Sequence, residues 1–446
     1  MTSVQNHRPL LSGSKQLLIL VFAAFTIQSC SVFEGIFGSK RTPPPPPPPI
    51  EEVDPIDPEG QTPTNTDPEI EPEPRDTIII PDPPVVKKEE ANIAIMLPFQ
   101  LDAMDASNSF PSAARNSLHL YKGIQYALAE ANFSDKNVNV YVIDNAGDDA
   151  TTQSLLQKHP FPDVDVVIGP LYTKSLKLVG DYAKQNKITF ISPLSSADDL
   201  GTDNDYLLSA NATISTRYEA MFTYIKDEFI NPNVGLIYQP VRAEETARRD
   251  ILKAAAASKV ELKEQQSDGR DMFSSVTNLL QKGRENIIIT GVDDNEEGTL
   301  YLDRLLMFLN QMGEGYDIQV FGLREWNDVK AIAPMKYPNV DLYILDRFLD
   351  PTNSPRAAAF NQLQYKNQNR PLHIYSLQGY DLMSYLLALI DEHGEDFETH
   401  ITKSEYQGLQ TKYQFGKWKS DAGFQFYDNK NIHILRYKNG SWQHMN

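Results

Sequence analysis

The sequence predicts an α/β protein of doubly wound sheets in two lobes, and three observations carry that expectation. From Ala91 onward, short buried-strand runs alternate with amphipathic helical patterns, the signature of parallel sheets with helices on both faces. The strand runs are too many for one small doubly wound sheet. The final stretch, "GFQFYDNKNIHILRYKNGSWQ", then switches to apolar/polar alternation and carries Asn439-Gly440, a strong short hairpin signal. A βα array closed by antiparallel strands suits a chain that crosses between two lobes more than once.

At the amino end, Arg8 and Lys15 precede an apolar run over residues 17–27, which ends at Ile27-Gln28-Ser29-Cys30. A basic region, a short apolar core and a small-residue cleavage site make residues 1–29 a signal peptide, and the run is too short for a good transmembrane helix. The stretch resembles a bacterial lipoprotein signal, which implies that Cys30 becomes the lipidated first residue of the mature chain. Cys30 is also the one cysteine in the sequence, so an intramolecular disulfide, a cysteine zinc site and an iron–sulfur cluster are all excluded. Loss of residues 1–29 removes two basic residues and no acid, which makes an already acidic chain, formally −19, more negative. No basic run offsets that charge, and nucleic acid is a poor partner.

Residues 30–90 read as a linker. Positions 43–49 are consecutive prolines, and Pro, Asp, Glu and Thr fill most of the stretch up to Glu90. Such a composition is expected to be disordered and extended, ~3.1 Å per residue where proline dominates, with a reach on the order of 100 Å. The folded part would then stand well away from a membrane.

The strand runs are 92–99, 138–144, 165–169, 188–193, 234–238, 286–292, 318–323 and 341–346. Between them, "LYKGIQYALAEA" places Tyr121, Ile124, Leu128 and Ala131 on one helical face, and "STRYEAMFTYIKDEF" does the same with Tyr218, Met221, Ile225 and Phe229. Thr216 and Glu219 have capping-box spacing, which predicts a helix start at Thr216. Ser354-Pro355 is another start signal, and Gly313 and Gly394 are stops. The run "VVIGPLYTKS" (166–175) is a buried strand broken by Gly169-Pro170 and followed by a helix. Free N–H groups and the helix dipole make that turn suitable for an anion; a turn that binds nothing explains the pattern equally well.

The ordered set "IAIMLPF", "YKGIQYALAEAN", "VIGPLYTKS", "ITFISPLSSADDL", "YLLSANAT", "VFGLREW" and "GYDLMSYLLALI", closed by hairpins, resembles the type I periplasmic binding proteins, above all the branched-chain amino-acid receptors. The resemblance covers most of residues 91–446. It implies two doubly wound α/β lobes joined by a multi-strand hinge with a ligand cleft between them, lobe 1 spanning about 91–212 and 347–405 and lobe 2 about 213–346 and 406–446. By position in the motifs it implies that Thr173, Ser195 and Ser196 bind a ligand carboxylate and that Glu325, between Arg324 and Trp326, meets the ammonium of an amino acid. Hydroxyls suit this task because they donate without carrying a charge that must be desolvated. The same serines also suit the capping of a following helix.

No nucleotide-binding glycine motif and no nucleophile elbow occurs, so no catalytic residues, cofactor or metal are expected. His393 and His400, flanking Gly394, read as surface residues, and the acidic pairs Asp148-Asp149, Asp198-Asp199 and Asp293-Asp294 as solvated loop faces. The expected protein is a cell-envelope lipoprotein, membrane-anchored and facing the periplasm. It would bind a small polar ligand such as an amino acid and present it to a transporter or sensor. The resemblance also extends to lipoprotein activators of peptidoglycan synthesis, in which the same fold serves as a scaffold for a partner protein.

Overall fold

A computed structural model describes residues 90–446 apart from 105–109, 132–136, 159–160, 292–295, 324–333, 347, 349–354, 369–372, 439 and 446. The signal at 1–29, Cys30, the proline-rich linker, the Asp293-Asp294 pair and Glu325 with its neighbours Arg324 and Trp326 therefore lie outside the described residues.

The first lobe starts with β1 (Glu90–Leu97), α1 (Arg115–Glu130), β2 (Asn137–Asp144), α2 (Asp149–Leu156), β3 (Val166–Ile168), α3 (Thr173–Asn186), β4 (Thr189–Ser192) and β5 (Leu207–Ser209). In β1 successive side chains point to opposite faces: Ile93, Ile95 and Leu97 enter a core with Leu120 and Ile124 of α1, while Ala94 and Met96 enter another with Leu176 and Val179 of α3. Both faces of the strand are thus dry, which is why it reads as a continuous apolar run.

The second lobe holds α4 (Ile214–Glu228), β6 (Asn233–Tyr238), α5 (Arg242–Ser258), β7 (Lys263–Gln266), α6 (Met272–Leu279), β8 (Glu285–Ile289), α7 (Glu296–Met312), β9 (Asp317–Leu323) and β10 (Asp341–Asp346). The same alternation recurs: Ile287 and Ile289 face a core with Phe222 and Ile225, and Ile288 faces one with Leu302 and Leu305. The chain then returns to the first lobe through α8 (Pro355–Gln368) and α9 (Ile374–His393). Close to its end come β11 (Tyr406–Gln407), β12 (Lys412–Tyr413), β13 (Phe415–Ser420), β14 (Gly423–Asn429), β15 (His433–Lys438) and β16 (Ser441–His444).

Two seven-stranded sheets result, ordered β13-β14-β5-β4-β3-β1-β2 and β16-β15-β10-β9-β8-β6-β7. This corrects one expectation. Residues 406–446 do not go together to the second lobe, because β14 pairs parallel with β5 and β13 pairs antiparallel with β14 at the edge of the first sheet. Tyr413 and Phe415 pack into the first lobe's core for the same reason. Only β15 and β16 join the second sheet, β15 antiparallel to β10 and β16 closing the hairpin with Lys438 opposite Ser441. Alternation marks these segments as strands but does not say which sheet edge they complete.

Two short strands had no clear signature, β5 for its length and β7 because its residues "KEQQ" are polar at a sheet edge. The start of α4 also differs from the capping-box reading. Thr213 is the N-cap and accepts from the Thr216 N–H, while the Thr216 hydroxyl accepts from Lys430 Nζ at 2.9 Å. Pro355 does begin α8, and Gly313 and Gly394 follow the ends of α7 and α9. Helices α1 and α9 meet through glycines: a Cβ on Gly123 would lie 1.8 Å from the Ser376 carbonyl oxygen, and one on Gly379 2.0 Å from that of Leu120. No side chain fits there, so this contact brings the two backbones together.

Candidate functional site

The chain leaves the first lobe from the carboxyl end of β5 and enters α4 after residues 210–213; it leaves the second lobe from the carboxyl end of β10, and passes from β14 to β15 through residues 430–432. Every crossing departs from, or arrives at, carboxyl ends of parallel strands or the helix starts beside them. Those ends of both sheets therefore look toward each other across the hinge, and the crevice of an open α/β sheet lies there.

On the first lobe that end is shaped by buried or capped turns. The Asp144 carboxylate, closing β2, accepts from the N–H groups of Phe99, Gln100 and Leu101 at 2.9, 3.1 and 2.9 Å and holds the turn after β1. Asp148 caps α2 through the Thr151 N–H at 2.7 Å, and Asp149 accepts from the Ser175 hydroxyl at 2.9 Å. The next strand end carries Gly169, with φ +88°, where a Cβ would lie 2.1 Å from the Met96 carbonyl oxygen; only glycine passes this close to β1.

Thr173 is the first residue of α3, exposed, in a turn whose N-cap Tyr172 supplies no side-chain cap. The first N–H groups of α3 have no partner inside the helix. Ser195 and Ser196 follow β4, the strand directly paired with β3, so the two turns are neighbours at about one strand spacing. The structure thus brings Thr173, Ser195 and Ser196 to one place. Ser195 Oγ accepts from the Ala197 N–H at 3.3 Å, a local turn bond of the kind expected if the serine served its own backbone. The Ser196 carbonyl accepts from the Ile214 N–H at 3.0 Å, tying this loop to the first turn of α4 in the other lobe. Among the described residues, the N–H groups of Leu194, Ser195 and Ser196 make no hydrogen bond. Next to them Asp198 accepts from the Ser215 N–H and hydroxyl at 3.3 and 2.8 Å, and Asp199 pairs with Lys177 at 2.7 Å. Asp198 thus ties this loop to the first turn of α4, while Asp199 stays largely exposed in a surface ion pair with α3.

Apolar side chains line the same ends. Leu101 and Tyr172 on the first lobe are exposed, as are Val241 and Phe273 at the starts of α5 and α6 on the second. The Tyr172 ring lies over Gly147, where a Cβ would come within 2.5 Å of it. A hollow of about 750 Å³ opens instead at the amino ends of β8, β9 and β10, lined by Glu285, Asp317 and Asp341 among others, on the far side of the second lobe. It holds none of Thr173, Ser195 and Ser196.

Among the described residues no three His, Cys, Asp or Glu side chains are grouped to hold a metal ion. His393 and His400 stack on each other with ring centroids 3.6 Å apart, half-buried rather than free on the surface.

Two residues of the site had no local signal in the sequence. Gln378, on α9, donates from Nε2 to the Pro193 carbonyl, 185 residues away, and Asn211, in the first crossing, donates from Nδ2 to the Leu194 carbonyl at 2.5 Å. Neither bond is written in any spacing.

A family model described as "Periplasmic binding protein" matches residues 112–425. No curated protein sequence matches the chain. Among solved structures, a protein assigned to a branched-chain amino-acid ABC transporter of Rhodospirillum rubrum is similar at 14% identity and a TM-score of 0.57, covering 80% of this chain and 100% of that one. A branched-chain amino-acid ABC transporter periplasmic ligand-binding protein from Burkholderia xenovorans gives 10% and 0.55, covering 80% and 94%. An ABC transporter substrate-binding protein from Desulfitobacterium hafniense, in complex with Leu, gives 14% and 0.52, covering 80% and 100%. At these identities the likeness is one of fold.

Proposed function

This chain belongs to the periplasmic binding protein family, and on that premise we propose that it is a non-catalytic solute receptor of the cell envelope. Its ligand is a small carboxylate with an apolar side chain, an amino acid of the leucine kind. The reading rests on one observation: two adjacent strand ends present the Thr173 hydroxyl, the open first turn of α3 and three N–H groups at 194–196 that have no partner among the described residues. Such a set donates to an anion without a buried counter-charge. The exposed Tyr172, Leu101, Val241 and Phe273 suit the apolar end of the ligand, and Glu325 is the candidate for its ammonium. The Desulfitobacterium protein, which shares the fold, is in complex with Leu. Attachment to a membrane through a lipid on Cys30, behind a long proline-rich tether, completes the reading.

Titration calorimetry against the twenty amino acids, with the parent and Thr173→Val, tests it. A hydroxyl bond to a charged ligand is worth about 1.5–3 kcal/mol, so the variant should bind roughly ten- to a hundredfold more weakly. Its Tm should hardly move, because the hydroxyl is exposed. No heat with any amino acid, together with capture of a cell-wall synthesis enzyme that survives Thr173→Val, would overturn the receptor reading in favour of a scaffold.

A further inference from the structure

The loop after β4 is held by side chains that act on its carbonyls. Gln378 Nε2 donates to the Pro193 carbonyl and Asn211 Nδ2 to the Leu194 carbonyl; Ser209 Oγ lies 3.3 Å from the Ser195 carbonyl oxygen. Gln378, Asn211 and Ser209 are buried, so all three carbonyls are drawn into the interior of the lobe. A trans peptide is planar, with its C=O and the following N–H pointing in opposite directions. Drawing the carbonyls of 193, 194 and 195 inward therefore turns the N–H groups of 194, 195 and 196 outward, and these are the groups without a partner among the described residues. Successive N–H groups turned to one side make a concave donor set for an anion.

The two amides themselves are only half satisfied. Gln378 Oε1 and Asn211 Oδ1 are buried and without a hydrogen-bond partner among the described residues. Because a carbonyl oxygen is purely an acceptor, it fixes which end of each amide meets the loop, and the unpartnered oxygen is the other end in both cases. The feature both residues share is the donor end aimed at the loop.

We propose that Gln378 and Asn211 are positioning residues of the ligand site: by holding the Pro193 and Leu194 carbonyls inside the lobe, they aim the Leu194 and Ser195 N–H groups at the anion. The inference rests on the receptor reading for the identity of what is bound, but not for the orientation of the loop. Neither residue touches the ligand.

The test uses the full chain with Gln378→Met and Asn211→Leu, each close in size and without a donor, and Thr173→Val as a variant that leaves the loop alone. Crystal structures of the variants should show the freed carbonyl rotated outward and the following N–H turned in. L-leucine, the probe, should bind about tenfold more weakly to either variant, as expected for one misdirected bond to a charged group. Thr173→Val should lose affinity with the peptide planes unmoved. In the parent without ligand, the 194 and 195 amides should exchange hydrogen at close to the unprotected rate. Carbonyls that stay inward in both variants, or amides of 194 and 195 strongly protected in the free parent, would overturn the inference. If Gln378→Met does not fold, Asn211→Leu carries the same test for the second peptide. If the parent does not bind L-leucine or any other amino acid, the receptor reading fails, and the peptide orientations alone decide the role of Gln378 and Asn211.

Discussion

Asp428 should be a point of high leverage on the hinge. Its carboxylate is fully buried on the penultimate residue of β14, just before the chain starts its third crossing, and it holds the N-cap of α4 at the first. The Thr213 N–H donates to its two oxygens at 3.2 and 3.1 Å and the Thr213 hydroxyl to one of them at 2.8 Å, while Lys430 Nζ stands 3.9 Å away. Asp428→Ala removes both acceptors and leaves a buried N–H and a hydroxyl without partners. At about 1–3 kcal/mol for each such group, the expected loss is roughly 3–5 kcal/mol. Asp428→Asn keeps one acceptor oxygen and is spared the desolvation of a charge, so it should cost only about 1 kcal/mol at neutral pH. Urea unfolding of the parent and both variants measures this. A loss under 1 kcal/mol for alanine, or equal losses for alanine and asparagine, would refute the argument that acceptance by this carboxylate locks the crossing. The pH dependence adds a sign. Burial pushes the Asp428 carboxyl from 3.8 up to about 6. A folded pKa raised above the unfolded one gives a stability contribution that is complete below about 3.8 and is lost as pH rises through about 6. The gap between the two values corresponds to on the order of 3 kcal/mol. The advantage of the parent over Asp428→Asn should therefore grow as pH falls from 7 to 4.

The second titratable group near the hinge works in the opposite sense. Burial, then the neighbouring His444 and Lys412, push His433 from 6.5 down to about 4. Its contribution is complete above pH 6.5 and disappears as pH falls through 4, so the stability gap between the parent and His433→Gln should narrow across that window in the same unfolding assay. Gly379→Ala should be severely destabilising or should prevent folding, because its methyl would meet the Leu120 carbonyl 2.0 Å away; a soluble variant with a parental Tm would contradict the α1–α9 contact. Cys30→Ser should release the protein from membranes or leave an uncleaved precursor, and a variant that fractionates like the parent would remove the lipid anchor from the proposal.

The sequence alone determined the elements that bury both faces. Runs such as "NIAIML" and "NIII" are short, apolar and rich in isoleucine, which favours a strand buried on both faces, and the 3.6-residue period of "YKGIQYALAEAN" leaves one apolar face to pack on them. It also marked the turns that carry Thr173, Ser195 and Ser196, because strand end, turn and helix start follow one another locally; the choice of those three residues came from the resemblance to a family, and their binding role is a proposal. What the tertiary structure decided is everything that depends on long-range partners. The polar β7 is a strand only because β6 offers it an open edge. The alternating pattern of 415–429 makes strands in any setting, and the free edge of β5 is what assigns them to the first lobe. The Thr216 capping-box spacing was overridden by Thr213, whose cap is reinforced by Asp428 from 215 residues away. Gln378 and Asn211 are ordinary polar residues until folding sets each against a loop carbonyl, and no local pattern can carry a bond that spans 185 residues. Hydrophobic periodicity is a local consequence of burial and can be read from the chain; the satisfaction of buried polar groups is a pairing between distant segments and exists only once the fold has closed.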